Sequence, residues 1–174
     1  MSRVLIVIDM QNDFVTGALG SKEAQAIVPN VQAKIKKYAD RGDRIIFTRD
    51  THEENYLDTA EGKKLPVIHC IKGTDGWQII PELEVEGCEY IDKPTFGWLN
   101  WSGFGEHDEI ELVGVCTDIC VVSNALILKA MYPEAVISVD AGCCAGVTPE
   151  KHEAALETMK SCQIDVWGEW KNLC

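Results

Sequence analysis

Short apolar segments recur along the chain and constrain its fold more than any other feature. Five of them are four to six residues long and rich in valine and isoleucine, and most end at a polar residue or glycine. This length and composition is typical of strands buried on both faces of a sheet. The segments lie at 4–8, 44–48, 89–92, 110–115 and 136–139, and a sixth lies at 164–167.

Stretches with helical periodicity separate these segments, at 26–39, 121–131 and 149–162. In the last, Thr148 is a candidate N-cap, and Pro149 and Glu150 suit the first helical turn. Strands that alternate with helices predict βαβ units and a mostly parallel sheet. We therefore predict an α/β fold, with one three-layer, doubly wound domain over residues 1–174 and helices on both faces of the sheet. Residues 51–81 form a long polar connection, which predicts a functional loop or one that carries small elements of its own.

The charge balance excludes several classes of partner. The chain has 174 residues, of which 28 are Asp or Glu and 16 are Lys or Arg, so its formal net charge is −12. Such a charge repels phosphate backbones and anionic lipids, and we expect neither nucleic acid nor a membrane as partner. Because the N-terminus lacks a signal-peptide pattern, we expect a cytoplasmic protein whose eight cysteines are reduced.

Polar side chains follow the predicted strands at the carboxyl edge of the sheet, where α/β proteins bind ligands. They are Asp9, Asp50, Lys93, Cys116 and Cys120. If Asp9, Lys93 and Cys120 converge, the carboxylate takes the thiol proton and the ammonium stabilises both anions, which produces a nucleophile for acyl transfer. Each residue also has an ordinary structural interpretation: Asp9 as a turn or cap residue, Lys93 as a solvated charge and Cys120 as a buried core thiol.

Cys120 lies at the start of a predicted apolar helix. The helix dipole and the free N–H groups there predict a lowered pKa for its thiol. The backbone amides of Cys116 and Cys120 are the expected donors of an oxyanion hole. The alternative is a thiol pair or soft-metal site that joins these two residues to Cys143 and Cys144, although a C-x-x-x-C spacing is not the redox C-x-x-C.

The long polar connection begins at a group of side chains suited to a metal ion. These oxygen and nitrogen ligands are Asp50, His52, Glu61 and His69. An Asp-x-His sequence places two ligands on the same side of an extended chain, and the other two can complete the set. The alternative for Asp-x-His alone is an ordinary polar loop. The two remaining histidines, His107 and His152, are interpreted as solvated residues of a turn and of a helix face.

Three separated motifs occur in a fixed order: Ile8-Asp9-Met10-Gln11-Asn12-Asp13-Phe14, then Lys93 after a strand, then Gly114-Val115-Cys116-Thr117-Asp118-Ile119-Cys120-Val121. Together they resemble the isochorismatase-like cysteine hydrolases, in particular the nicotinamidase branch. The resemblance implies that Cys120 is the nucleophile, Asp9 the general base and Lys93 the third member of a triad. It also implies a cis peptide bond between Val115 and Cys116, beside an oxyanion hole formed by Cys116 and Cys120.

The resemblance extends to a metal ion and a substrate. Asp50, His52, Glu61 and His69 match the metal motif of nicotinamidases, which implies a divalent ion, zinc in the first place and Mn, Fe or Mg as alternatives. Aromatic side chains at Phe14 and Trp101 match positions around the substrate ring, although a core position is the alternative for Trp101. By the same resemblance, Gln11 contacts the substrate, and Gln11 and Asp13 orient the triad.

The activity implied by this resemblance is hydrolysis of a small amide, nicotinamide to nicotinate and ammonia, as in NAD salvage, by an enzyme that forms a homo-oligomer. One departure concerns the substrate, because residues 65–68 lack the aromatic side chain that many nicotinamidases carry before the second metal histidine. A related amidase for a carbamoyl or ureido compound is therefore the alternative. A non-catalytic thiol redox or binding protein is a more distant one.

Overall fold

A single parallel sheet of six strands forms the centre of the molecule in the computed structural model, which describes residues 2–169. The strands are β1 (Arg3–Ile8), β2 (Arg44–Asp50), β3 (Glu89–Lys93), β4 (Glu109–Val115), β5 (Val136–Ala145) and β6 (Asp165–Trp167). They lie side by side in the order β3-β2-β1-β4-β5-β6, and every neighbouring pair is parallel. The predicted α/β fold and all six predicted strands are confirmed.

Helices cover both faces of this sheet. They are α1 (Asn12–Val15), α2 (Lys22–Arg41), α3 (Ala60–Lys64), α4 (Val122–Met131) and α5 (Pro149–Ser161). Alternate side chains of a strand point to opposite faces. Accordingly Leu5 and Val7 of β1 pack in a cluster with α2, whereas Ile6 and Ile8 pack in a second cluster with α4 and α5. The three-layer arrangement is therefore confirmed.

Three local features differ from the predicted elements. Helix α2 begins earlier than the predicted 26–39, because Ser21 caps it by accepting a hydrogen bond from the Ala24 amide. A π-helical turn, Thr117–Val121, precedes α4. Strand β5 ends at Ala145, six residues after the predicted end at Val139. Residues 51–81 contain α3 and the 3₁₀ turns Tyr56–Asp58, Asp75–Trp77 and Pro81–Leu83, so the long connection carries small elements of its own, which is one of the two predicted options.

The strand order reverses between β1 and β4, and ligands bind at such a point in doubly wound sheets. These two strands approach closely at Gly114, whose φ of 117° lies outside the usual range of L-residues. A Cβ atom at this position would collide with the carbonyl oxygen of Ile8. Gly114 therefore lets the ends of β1 and β4 lie side by side. Within residues 2–169, no helix is long and apolar enough to cross a lipid bilayer.

Candidate active site

The ends of three strands bring Asp9, Lys93 and Cys120 together. Asp9 directly follows β1, Lys93 is the last residue of β3, and Cys120 lies in the π-helical turn after β4. Lys93 Nζ is 2.6 Å from Asp9 Oδ2 and 3.6 Å from Cys120 Sγ. All three side chains are buried, so the ammonium joins a carboxylate and a thiol in a site sheltered from water.

Burial is the largest influence on the pKa of each side chain in this cluster. Burial and the nearby Asp50 carboxylate raise the pKa of Asp9, whereas the Lys93 ammonium and the Thr48 hydroxyl lower it. The Thr48 hydroxyl donates a 2.6 Å hydrogen bond to Asp9 Oδ1. Burial disfavours the charged form of Lys93, but the negative groups around it outweigh this effect and raise its pKa. The lysine is therefore a fixed positive charge.

The prediction of a lowered pKa for Cys120 is wrong. Its side chain is only 5% exposed, and burial together with the Asp9 carboxylate raises the thiol pKa well above the ordinary value, despite the opposing charge of Lys93. A helix start lowers a thiol pKa, but desolvation has the larger effect in this position and raises it. Cys120 is a thiol at rest and needs a base to become a nucleophile.

Cys116 lies one residue before the π-helical turn, with extended backbone angles. The peptide bond between Val115 and Cys116 is cis, the conformation implied by the family resemblance. Cys116 and Cys120 both line the same cavity. Burial, with smaller contributions from the Asp118 and Asp9 carboxylates, raises the pKa of the Cys116 thiol to about 12.

Four residues of the long connection and of β2 form a cluster of ligand atoms. The atoms that Asp50, His52, Glu61 and His69 offer lie within 4.8 Å of one another. Asp50 Oδ2 is 2.9 Å from His52 Nε2 and 3.4 Å from His69 Nε2. Glu61 Oε1 is 3.6 Å and 3.9 Å from the same two nitrogens. The four predicted metal ligands thus converge.

This cluster fits a divalent cation. His69 Nδ1 donates a 2.7 Å hydrogen bond to the carbonyl oxygen of Val67, which leaves Nε2 to face the carboxylates, as in histidine ligands held by an outer hydrogen bond. Burial raises the pKa of Asp50, but hydrogen bonds from the two histidines and the Lys93 charge outweigh it and hold the pKa well below the usual range. Asp50 Oδ1 is buried with no hydrogen-bond partner among the described residues. Two nitrogens and two carboxylates suit a divalent metal.

The cluster is held in place from behind by the residues after β1. Gln11 donates to the carbonyl oxygen of Asp50 and accepts from its amide, at 2.8 and 2.7 Å. Asp13 accepts a 2.8 Å hydrogen bond from the Cys70 amide, next to His69. Gln11 does not line the cavity, so the structure gives it a supporting position instead of the predicted contact with substrate. Asp13 supports the metal cluster and not the triad.

A cavity of about 460 Å³ connects the Cys120 thiol to the metal-ligand cluster. Its lining includes Cys116 and Cys120 as well as Asp50, Glu61 and His69. Most of the remaining lining is apolar, and two aromatic residues, Phe14 and Phe96, belong to it. A ligand in this cavity can therefore contact the thiol, the metal cluster and an aromatic wall together.

The family follows from comparison with known proteins. The model for the isochorismatase domain matches residues 3–168. The chain belongs to the isochorismatase family. It is 26% identical to the nicotinamidase/pyrazinamidase of Mycobacterium tuberculosis, over 94% of this chain and 97% of that protein. It is 31% identical, over 90% of this chain and 87% of the relative, to an Arabidopsis thaliana protein described as a probable inactive nicotinamidase.

One solved structure that is similar to this chain contains a zinc ion. The pyrazinamidase of Pyrococcus horikoshii in complex with zinc superposes with a TM-score of 0.80 and 30% identity, over 97% of this chain and all of that one. Together with the ligand cluster described above, this neighbour supports a divalent metal in the site.

Two of the sequence predictions, those for Trp101 and His152, are wrong. Trp101 does not line the cavity but lies in the core, where its indole nitrogen donates to Asn124 at 3.2 Å. The predicted aromatic wall is instead supplied by Phe96, five residues earlier. His152 is fully buried and not solvated, because its Nδ1 pairs with the Thr117 hydroxyl at 2.7 Å, while His107 is exposed as predicted.

Three residues near the site escaped the sequence prediction: Thr48, Phe96 and Asn124. Thr48 bonds Asp9, and Asn124 bonds the carbonyl oxygen of Cys120. A signal for Asn124 was present, because it is a polar residue in an apolar helix, four positions after Cys120 and so on the same helical face. Thr48 had no such signal, since its partner belongs to the neighbouring strand.

Proposed function

We propose that this chain is a cysteine amidase that hydrolyses nicotinamide to nicotinate and ammonia. One observation carries the proposal: the Lys93 ammonium contacts both Asp9 and Cys120 at a cavity that also opens onto the metal cluster. A thiol, a base and a fixed cation are the groups required for acyl transfer through a covalent intermediate.

The reaction begins with transfer of the Cys120 proton to the Asp9 carboxylate. The pKa of each group is raised by burial, so that Asp9 is a stronger base than a solvated aspartate. The thiolate attacks the carboxamide carbon, a C–S bond forms, and the backbone amides of Cys116 and Cys120 stabilise the oxyanion. Asp9 then returns the proton to the amide nitrogen as the C–N bond breaks, and ammonia leaves.

Hydrolysis of the thioester completes the cycle. Asp9 removes a proton from the attacking water, hydroxide adds to the acyl carbon, and the C–S bond breaks. The sulfur leaves as a thiolate beside Lys93 and recovers its proton from Asp9. The acyl group departs as nicotinic acid, which becomes nicotinate by losing its proton to solvent, where ammonia takes it up. Lys93 keeps its positive charge throughout and stabilises whichever of the two partners is anionic.

Asp50, His52, Glu61 and His69 are proposed to hold a zinc ion, since two imidazoles and two carboxylates form a common zinc ligand set. A bound divalent ion supplies a Lewis acid for the ring nitrogen of the substrate. The cluster and the thiol line the same cavity, which allows one small ring with a carboxamide to reach both.

The cavity lining favours a pyridine carboxamide over the alternative ureido substrates. Among the described residues, no lysine or arginine lines the cavity, and its charged or metal-ligating side chains are Asp50, Glu61 and His69. A carboxylate on the substrate would lack a cationic side chain there. The aromatic residues Phe14 and Phe96 suit a flat, uncharged ring.

Ammonia release from a panel of amides tests the proposal. Nicotinamide is expected to be hydrolysed, benzamide, which lacks the ring nitrogen, at least about tenfold less efficiently, and a ureido acid not at all. His52→Ala is expected to abolish binding of a divalent metal, measured by elemental analysis, and to reduce the preference for nicotinamide over benzamide. Hydrolysis of the ureido acid in preference to nicotinamide would instead establish the alternative function.

A further inference from the structure

Asn124 of α4 is fully buried and makes four hydrogen bonds. Its Oδ1 accepts from the Trp98 amide at 2.8 Å and from Trp101 Nε1 at 3.2 Å. Its Nδ2 donates to the carbonyl oxygens of Cys120 at 2.8 Å and Phe96 at 3.0 Å. An amide side chain has two donors and two acceptor positions, so Asn124 uses its full capacity.

Three of these partners belong to the segment 94–101, which follows Lys93 and crosses α4. The fourth is the carbonyl group of Cys120. The same segment meets the triad directly, because Lys93 Nζ donates to the Thr95 carbonyl oxygen at 3.2 Å. One buried amide thus connects the turn that carries the thiol to the wall of the cavity.

Phe96 is the residue of this segment that faces the cavity, and Asn124 bonds its carbonyl oxygen. It lines the cavity while being 41% exposed, so packing restrains it less than a core residue. At the next position, a Cβ on Gly97 would collide with Ile127 of α4, which shows how closely the segment lies on the helix. The backbone of Phe96 is therefore held by Asn124 and by this close contact, and the position of its ring follows from them.

We propose that Asn124 is a positioning residue that holds Phe96 as the aromatic wall of the substrate cavity and thereby sets the affinity for the aromatic amide. The inference rests on the proposed function for its substrate. In addition, Phe96 makes the aromatic contact with substrate that was predicted for Trp101. Trp101 instead helps to hold Asn124 in place through its hydrogen bond.

A double-mutant cycle distinguishes positioning from a general contribution to folding. Asn124→Ser keeps a hydroxyl that can reach the Cys120 carbonyl, as Ser123 does with Ile119 at 2.6 Å, but it is too short for the segment 94–101. We expect it to raise KM for nicotinamide about tenfold with less than about a threefold change in kcat. In a Phe96→Ala background the same substitution should change KM by less than about twofold, because the wall is already absent.

Leu99→Ala is the matched control, since Leu99 lies in the same segment, is 73% exposed and does not line the cavity. Its KM should stay within about twofold of the wild-type value. An equal rise in KM from Asn124→Ser in both backgrounds would overturn the inference. If that variant fails to fold, Trp101→Phe removes one of the four bonds and should give a smaller rise in KM that also disappears in the Phe96→Ala background.

A substrate-independent measurement separates this inference from the proposed function. The measurement is the rate at which iodoacetamide alkylates Cys120, followed by mass spectrometry of the peptide that contains it. We expect alkylation at least about threefold faster than in the wild type in both Phe96→Ala and Asn124→Ser. The double variant should react no faster than Phe96→Ala. Inactivity of the wild type on nicotinamide refutes the proposed function alone. A wild-type alkylation rate in Asn124→Ser, with a faster one in Phe96→Ala, refutes the positioning role.

Discussion

Removal of either partner of the buried ion pair between Asp9 and Lys93 should destabilise the protein and stop its chemistry. Its nitrogen and oxygen are 2.6 Å apart, and both side chains have no exposed surface. With an effective dielectric constant of about 20, the attraction at this distance is about 6 kcal/mol. Desolvation of the two ions offsets most of it, so the net value of the pair is small.

Removal of one partner leaves the other charge buried without its nearest counter-charge. Lys93→Met is therefore expected to lower the free energy of unfolding by about 3 to 5 kcal/mol. Asp9→Asn should lower it by less, because Asp50 Oδ1 remains 3.9 Å from Lys93 Nζ. The double variant, which buries no uncompensated charge from this pair, should be destabilised less than either single variant. All three should lose amide hydrolysis, since each lacks a member of the triad.

Urea denaturation at pH 7, with m-values compared between variants, measures these differences. Lys160→Met is the control, because the pair between Lys160 and Glu157 lies on the surface, where solvent screens it, and its loss should hardly change the free energy of unfolding. If the two single losses simply add in the double variant, Asp9 and Lys93 do not form a coupled pair, and the electrostatic argument for the site fails.

Three further predictions concern other parts of the structure. Gly114→Ala should destabilise the protein by more than about 3 kcal/mol or prevent folding, whereas Gly105→Ala, which meets no atom closer than 3.4 Å, should cost less than about 1 kcal/mol in thermal unfolding. Zinc at about 100 times its Kd should raise the free energy of unfolding by about 2.7 kcal/mol, and a gain that persists in His52→Ala would place the ion elsewhere. Burial lowers the pKa of His152 in the folded chain. As the pH drops below about 6.5, the unfolded chain therefore binds a proton that the folded chain does not, and the free energy of unfolding should fall. His152→Gln should lose this part of the pH dependence, and an unchanged profile would contradict the argument.

Much of the fold was predictable because the central strands β1, β2 and β4 are rich in buried apolar residues and end at or next to a candidate site residue. The same regularity located most of the site, since the carboxyl ends of parallel strands lie at one edge of the sheet. Asp9 follows β1, Lys93 ends β3 with β2 between them, and Cys120 follows β4 by a few residues. The parallel topology therefore places all three residues at one edge of the sheet.

The errors arose where a side chain depends on a distant partner. His152 is buried because Thr117, 35 positions earlier, accepts or donates a hydrogen bond to its ring. Trp101 and Phe96 lie in one irregular segment, where no periodic pattern indicates which of the two rings lines the cavity. The pKa of Cys120 was predicted with the wrong sign because the depth of its burial is a property of the packed molecule.

The role of Cys120 as the nucleophile is tested most directly by ammonia release from nicotinamide with the Cys120→Ala variant. The substitution removes only the sulfur, and thermal unfolding checks that the variant is folded. The account predicts that kcat falls by at least about 10⁴-fold, as expected when a covalent nucleophile is removed. A folded Cys120→Ala variant that retains more than about a tenth of the wild-type rate would contradict it.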